Sequence, residues 1–120
     1  MKKWFVVLFV GLVLSSCITP MTGTFVLKYE VTSPDIATAT QIVYKTGPET
    51  EVTLTNVALP WSFSMDVNKY ASVVLRLSAT GTGPGTLEGK IYIDGASVSS
   101  DSDTNPTSIS ILSEYTKAPD

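Results

Sequence analysis

From Thr24 onward the chain is written in period two, and that rhythm constrains its fold more than anything else in it. In a strand, successive side chains point to opposite faces, so alternation of apolar and polar residues marks a sheet with one dry and one wet face. Thr24 to Thr32 puts Phe25, Leu27, Tyr29 and Val31 on one side and Lys28 and Glu30 on the other. Trp61 to Val67 alternates most cleanly, with Trp61, Phe63, Met65 and Val67 opposed to Ser62, Ser64 and Asp66. Similar patterns run through Thr38–Thr46, with Ile42 and Tyr44 on one side, and through Glu49–Asn56, with Val52 and Leu54. Ala71–Ala79 follows with Val73, Leu75 and Leu77, and Thr86–Ile93 with Leu87, Ile91 and Ile93.

Breaks between these runs are turn chemistry: Ser33-Pro34-Asp35, Gly47-Pro48, Leu59-Pro60, the Gly81 to Gly85 run and Asp94-Gly95. Asp94-Gly95 suits a two-residue hairpin because both central residues tolerate positive φ. Beyond it, Ala96–Ser99 is a short strand, Ser99 to Pro106 reads as a polar loop, and Thr107–Leu112 is the last strand. No sustained helical period interrupts the series. The expectation is an all-β, antiparallel, immunoglobulin-like β-sandwich of seven to eight strands, with a closed barrel as the alternative.

The first twenty residues obey a different logic. Lys2 and Lys3 precede an apolar run from Trp4 to Leu14, the order of an export signal. That run falls short of the roughly 20 apolar residues a membrane span needs. It closes on Leu14-Ser15-Ser16-Cys17, which resembles the bacterial lipobox. The resemblance implies cleavage between Ser16 and Cys17, a diacylglycerol thioether on Cys17 and acylation of its new amine by a fatty acid such as palmitate. Two or three chains anchor stably where one holds only reversibly. The organisation expected is a signal peptide over 1–16, a lipidated tether over 17–23 and a sandwich domain over 24–120. The alternatives are an ordinary cleaved signal or an uncleaved anchor helix. With no aspartate after Cys17, sorting in a Gram-negative cell favours the outer membrane.

Composition narrows the chemistry. Cys17 is the one cysteine and histidine is absent, which removes disulfides, zinc clusters, thiol catalysis and histidine triads. Without Lys2 and Lys3 the chain has six basic residues against eleven acidic ones, a balance that does not attract nucleic acid. The reading is therefore a non-enzyme with no cofactor and no metal. Asp101-Ser102-Asp103-Thr104-Asn105 opens like a calcium loop but meets Pro106 where glycine is needed and Leu112 where a bidentate glutamate belongs, so it reads as a solvated loop. Gly81 to Gly85 lacks the Gly-Lys-Ser/Thr of a phosphate cradle and reads as a strand connection.

Tyr29-Glu30-Val31, Ala58-Leu59-Pro60-Trp61-Ser62 and Asp94-Gly95, in that order, resemble the MmpS family of small mycobacterial membrane proteins. The resemblance implies an immunoglobulin-like extracytoplasmic β-domain and a role as accessory subunit of an RND-type MmpL transporter. The chain departs from that family in carrying a lipobox in place of a transmembrane helix, and Gly89 and Ile109 to Ile111 where many members have cysteines. The expected partners are the membrane, through acyl chains on Cys17, and an envelope transport complex. The alternative is a glycan- or lipid-binding envelope lipoprotein, for which Trp61, Tyr92 and Arg76 are candidate ligand or partner contacts. For Trp61 the competing reading is core packing, and for Arg76 a solvated sheet face. The anchor has its own test: Cys17→Ser should abolish fatty-acid labelling and leave an unprocessed precursor on immunoblots, and a mature membrane-held product in that variant would contradict it.

Overall fold

The computed structural model describes residues 23–119, so the expected signal peptide and its cleavage and lipidation positions, Ser16 and Cys17, lie outside the described residues. Eight strands follow one another: β1 Thr24–Thr32, β2 Thr38–Gly47, β3 Thr50–Ala58, β4 Trp61–Asn68, β5 Val73–Thr82, β6 Gly85–Ile93, β7 Ala96–Asn105 and β8 Ser108–Lys117. They form two antiparallel sheets, ordered β4-β1-β6-β7 and β3-β2-β5-β8. The sandwich expected from the alternation is the observed architecture, and the sheets stay separate rather than closing into a barrel.

The core is what period two dictates. Phe25, Leu27, Tyr29 and Val31 of β1 and Leu87 and Ile91 of β6 face Ile42 and Tyr44 of β2, Leu75 and Leu77 of β5, and Ile109 and Ile111 of β8, all buried. Burying each large side chain contributes roughly 1.5–3 kcal/mol. Gly89 belongs to the inner face of β6, where a Cβ would collide with Cδ1 of Ile111. The close approach of the two layers at that point therefore requires glycine.

The short connections assign the loops to two poles. At the distal pole lie Ser33 to Ala37, the cis Leu59-Pro60 link, the cis Gly83-Pro84 link and the β7–β8 turn. At the proximal pole lie Gly23, the β2–β3 turn, the β4–β5 connection, the β6–β7 turn and the end of β8. The β6–β7 turn is the expected hairpin, with Asp94 at φ 49° and Gly95 at φ 87°. Asp94 also returns to β1: its Oδ1 accepts from the Val26 amide at 2.8 Å, and its own amide donates to the Val26 carbonyl at 2.9 Å.

Ser99 to Pro106 requires a correction. This stretch is not a loop, because β7 continues through Asn105 and pairs with β6 from Gly85↔Asn105 to Ile93↔Ala96, with a bulge near Val98. Its inward positions are Ser99, Asp101 and Asp103, which face the edge of β8 rather than apolar core. Asp103 Oδ2 accepts from the Ser110 amide at 3.0 Å, and Asp101 Oδ2 accepts from the Leu112 amide at 2.9 Å. Ser99 and Ser113 share a hydroxyl hydrogen bond of 2.7 Å. Polar side chains thus satisfy backbone donors that an edge strand leaves open. Replacing Asp101 and Asp103 together with alanine should lower stability by about 1–3 kcal/mol in urea unfolding and shift the protein toward higher-mass species in size-exclusion chromatography as β8 loses its cover. A stable, monodisperse double variant would show the carboxylates to be incidental.

Candidate functional site

The two flanks of the sandwich differ. β7 and β8 touch along their length, whereas β3 and β4 barely meet. As a result the inner face of β4, read from sequence as core, is only half-buried at Trp61, Phe63, Met65 and Val67, and Val52 and Leu54 across from it are half-buried too. Tyr44 fills part of the gap. Its ring lies 5.2 Å from that of Trp61, 4.8 Å from Phe63 and 5.6 Å from Tyr29, in tilted arrangements favoured by aromatic quadrupoles.

Toward the proximal pole this gap widens into a cavity of about 280 Å³. Leu27 and Leu75, both buried, form its floor, and the half-buried Met65, Val67 and Val73 form its walls. Lys45 to Pro48, running from the end of β2 into the β2–β3 turn, and Asn68, Ala71 and Ser72 surround the mouth, where Ala71 and Ser72 are exposed. Two of the polar groups at the rim, Lys45 and Asn68, are turned to backbone. Lys45 Nζ donates to the Pro48 carbonyl at 3.1 Å, and Asn68 Oδ1 accepts from the Tyr70 amide at 2.7 Å.

Behind the cavity, the phenol of Tyr29 crosses between the layers and donates to the Lys45 carbonyl at 2.7 Å. Burial pushes the Tyr29 hydroxyl up to about 12, against the lowering effect of its backbone partners. On the opposite surface of the same sheet, the Tyr92 hydroxyl donates to Glu30 Oε1 at 2.8 Å, which raises its pKa, with burial and the charges of Glu30 and Glu88 adding to the shift. Lys28 stands over the Tyr92 ring, 5.4 Å from its centroid.

The three candidate contact residues do not come together. Trp61 is on the inner face at the distal end of β4, packed at a tilt against Tyr44. Tyr92 is on the outer face of the sheet that contains β1, paired with Lys28 across the ladder. Arg76 is on the outer face of the other sheet, where its Nε and Nη2 contact Glu114 Oε2 at 2.9 and 2.8 Å. None of them lines the cavity. The apolar cavity residues were legible in sequence only as core and Gly47-Pro48 only as a turn, because the lining converges from β1, β2, β4, β5 and the β2–β3 turn and no local signal marks it as a group.

Among the described residues, no group of three or more His, Cys, Asp or Glu side chains is placed to hold a metal. The aspartates that do gather, Asp101 and Asp103, are engaged with the β8 amides. No protein-family model matches the chain, and no curated protein matches it.

Tyr29 supplies a test of the geometry. A tyrosine protonated up to about pH 12 in the fold and only to about pH 10 when unfolded stabilises the native state fully below pH 10. That contribution, up to about 3 kcal/mol, is lost as the pH rises from 10 through 12. Alkaline titration followed at 295 nm should show one tyrosine ionising only near the top of that window or with unfolding, and Tyr29→Phe should remove that step. A late step that survives in Tyr29→Phe would assign the buried phenol elsewhere.

Proposed function

We propose that this protein is a lipid-anchored, non-catalytic module of the cell envelope, held to a membrane through Cys17 and serving as an accessory or interaction subunit of an envelope transport complex. The observation that carries the reading is the run Leu14-Ser15-Ser16-Cys17, which stands six residues before Gly23. Gly23 opens the proximal pole, where its carbonyl accepts from the Lys69 amide at 2.8 Å and the Tyr70 ring packs over it. Six residues reach at most about 20 Å. A tether of that length keeps the proximal pole near the bilayer and turns the distal pole away from it.

The resemblance to the MmpS family supports a transporter as the partner. The distal pole is well suited to carry the contact because its loops are braced. Asp35 Oδ1 accepts from the Thr86 amide at 2.9 Å, Gly83 N donates to the Thr107 carbonyl at 2.7 Å, and Leu59 N donates to the Ala37 carbonyl at 2.9 Å. Preorganised loops lose little entropy on binding. The cavity favours a second reading, a lipid-binding envelope lipoprotein.

Crosslinking in intact cells, followed by mass spectrometry of the purified full-length protein, should recover an envelope transport protein as the principal partner, and Cys17→Ser should weaken that recovery. Crosslinks confined to bulk envelope proteins, unchanged by loss of the anchor, would argue against an accessory role.

A further inference from the structure

We infer that the proximal cavity is a binding site for a single acyl chain of a bilayer phospholipid, admitted through the mouth formed by the β2–β3 turn and the Asn68 to Ser72 connection. The inference rests on the lipid-anchored reading for its orientation and on the described residues for the site itself.

Three observations select this occupant. The first is chemistry: Leu27, Met65, Val67, Val73 and Leu75 make the floor and walls hydrocarbon and thioether, while Asp66, Asn68 and Ser72, which also line the space, are exposed to solvent. Glycans and nucleotides are recognised by convergent polar groups, but Lys45 and Asn68 at the rim already bond to the protein's own backbone. The second is size. A volume of about 280 Å³ holds on the order of ten groups at about 30 Å³ each, the bulk of a medium-length alkyl segment.

The third is position. Val26, Tyr70 and Val74, exposed by 47%, 63% and 42%, sit around the same pole, leaving Leu112 as the other large exposed apolar side chain among the described residues. Tyrosine is enriched where a bilayer meets water, because its ring is apolar and its hydroxyl wet. This pole carries Lys45, Lys69 and Lys117 against Glu49, Glu51, Asp66 and Asp94, with no excess of positive charge, so the attraction to a membrane surface is apolar rather than electrostatic. The cavity mouth and the apolar collar therefore face the side from which the tether reaches the bilayer. One chain of a lipid can leave its neighbours and enter the sandwich while the headgroup stays among the rim residues.

Full-length protein in vesicles of phosphatidylethanolamine and phosphatidylglycerol, doped with phosphatidylethanolamine bearing a diazirine on its acyl chain, tests the inference. Irradiation and peptide mapping should place crosslinks on the strand segments holding Leu27, Met65 to Val67 and Val73 to Leu75. Ala71→Trp, which crowds the mouth from an exposed position, should reduce those crosslinks at least fivefold with an unchanged melting temperature, while Ser100→Trp on the outer face of β7 should not. Crosslinks restricted to residues 1–22, or insensitive to Ala71→Trp, would overturn the inference. So would an absence of crosslinks in a protein that intact mass shows to be acylated, the result expected if its own Cys17 chain or tether fills the space. Intact mass reports separately on the anchor: a protein without acyl groups that still crosslinks at the cavity would refute the anchoring reading and leave the site standing.

Discussion

The hydrogen bond from the Tyr29 hydroxyl to the Lys45 carbonyl is the constraint around which this domain is arranged. A sandwich with no cysteine in its described residues must hold its layers together by packing and by the few polar side chains that cross between them. Tyr29 is fully buried at the middle of β1, the strand that pairs on both sides, and it reaches the end of β2 at Lys45. It thereby fixes the separation of the layers at the point where the β2–β3 turn becomes the lip of the cavity. A smaller apolar residue there would let the layers settle together, and a water-exposed one would pull them apart.

The two flanks solve the edge problem in opposite ways. Along β7 and β8, Ser99, Asp101 and Asp103 bring oxygen acceptors and hydroxyls to the neighbouring sheet, so the unpaired amides of β8 find partners without joining the ladder. Along β3 and β4, apolar side chains occupy the inward positions but the layers diverge, and Tyr44, Trp61 and Phe63 fill the space with tilted rings. The divergence that leaves those residues half-wet also makes the cavity. A sandwich closed equally on both flanks would have a drier core and no such cavity.

Much of this was legible from residue order, and the exceptions share one cause. β1 matches its alternation over Thr24–Thr32, and β4 and β6 are within a residue of the runs that announced them, because each presents a full apolar stripe to the facing sheet. β7 went unread past Ser99 because its inward stripe is Ser99, Asp101 and Asp103, and hydrophobic periodicity cannot report a strand whose inner face meets backbone amides instead of carbon. The half-exposure of Trp61 to Val67 was invisible for the converse reason, since alternation shows which face is inward but not whether another layer covers it. The dispersal of Trp61, Tyr92 and Arg76 over three surfaces is likewise a property of strand order, which short-range patterning does not encode.

The central position of β1 has a mechanical consequence. Its first residue follows directly on Gly23, and it is flanked by β4 on one side and β6 on the other, each antiparallel to it. When the distal loops and the start of β1 at Thr24 are pulled apart, the force runs along β1 rather than across it. Both ladders are then loaded in shear, so that their hydrogen bonds resist together instead of opening one after another like a zip. A domain whose first strand lay at a sheet edge would peel; this one has to slide.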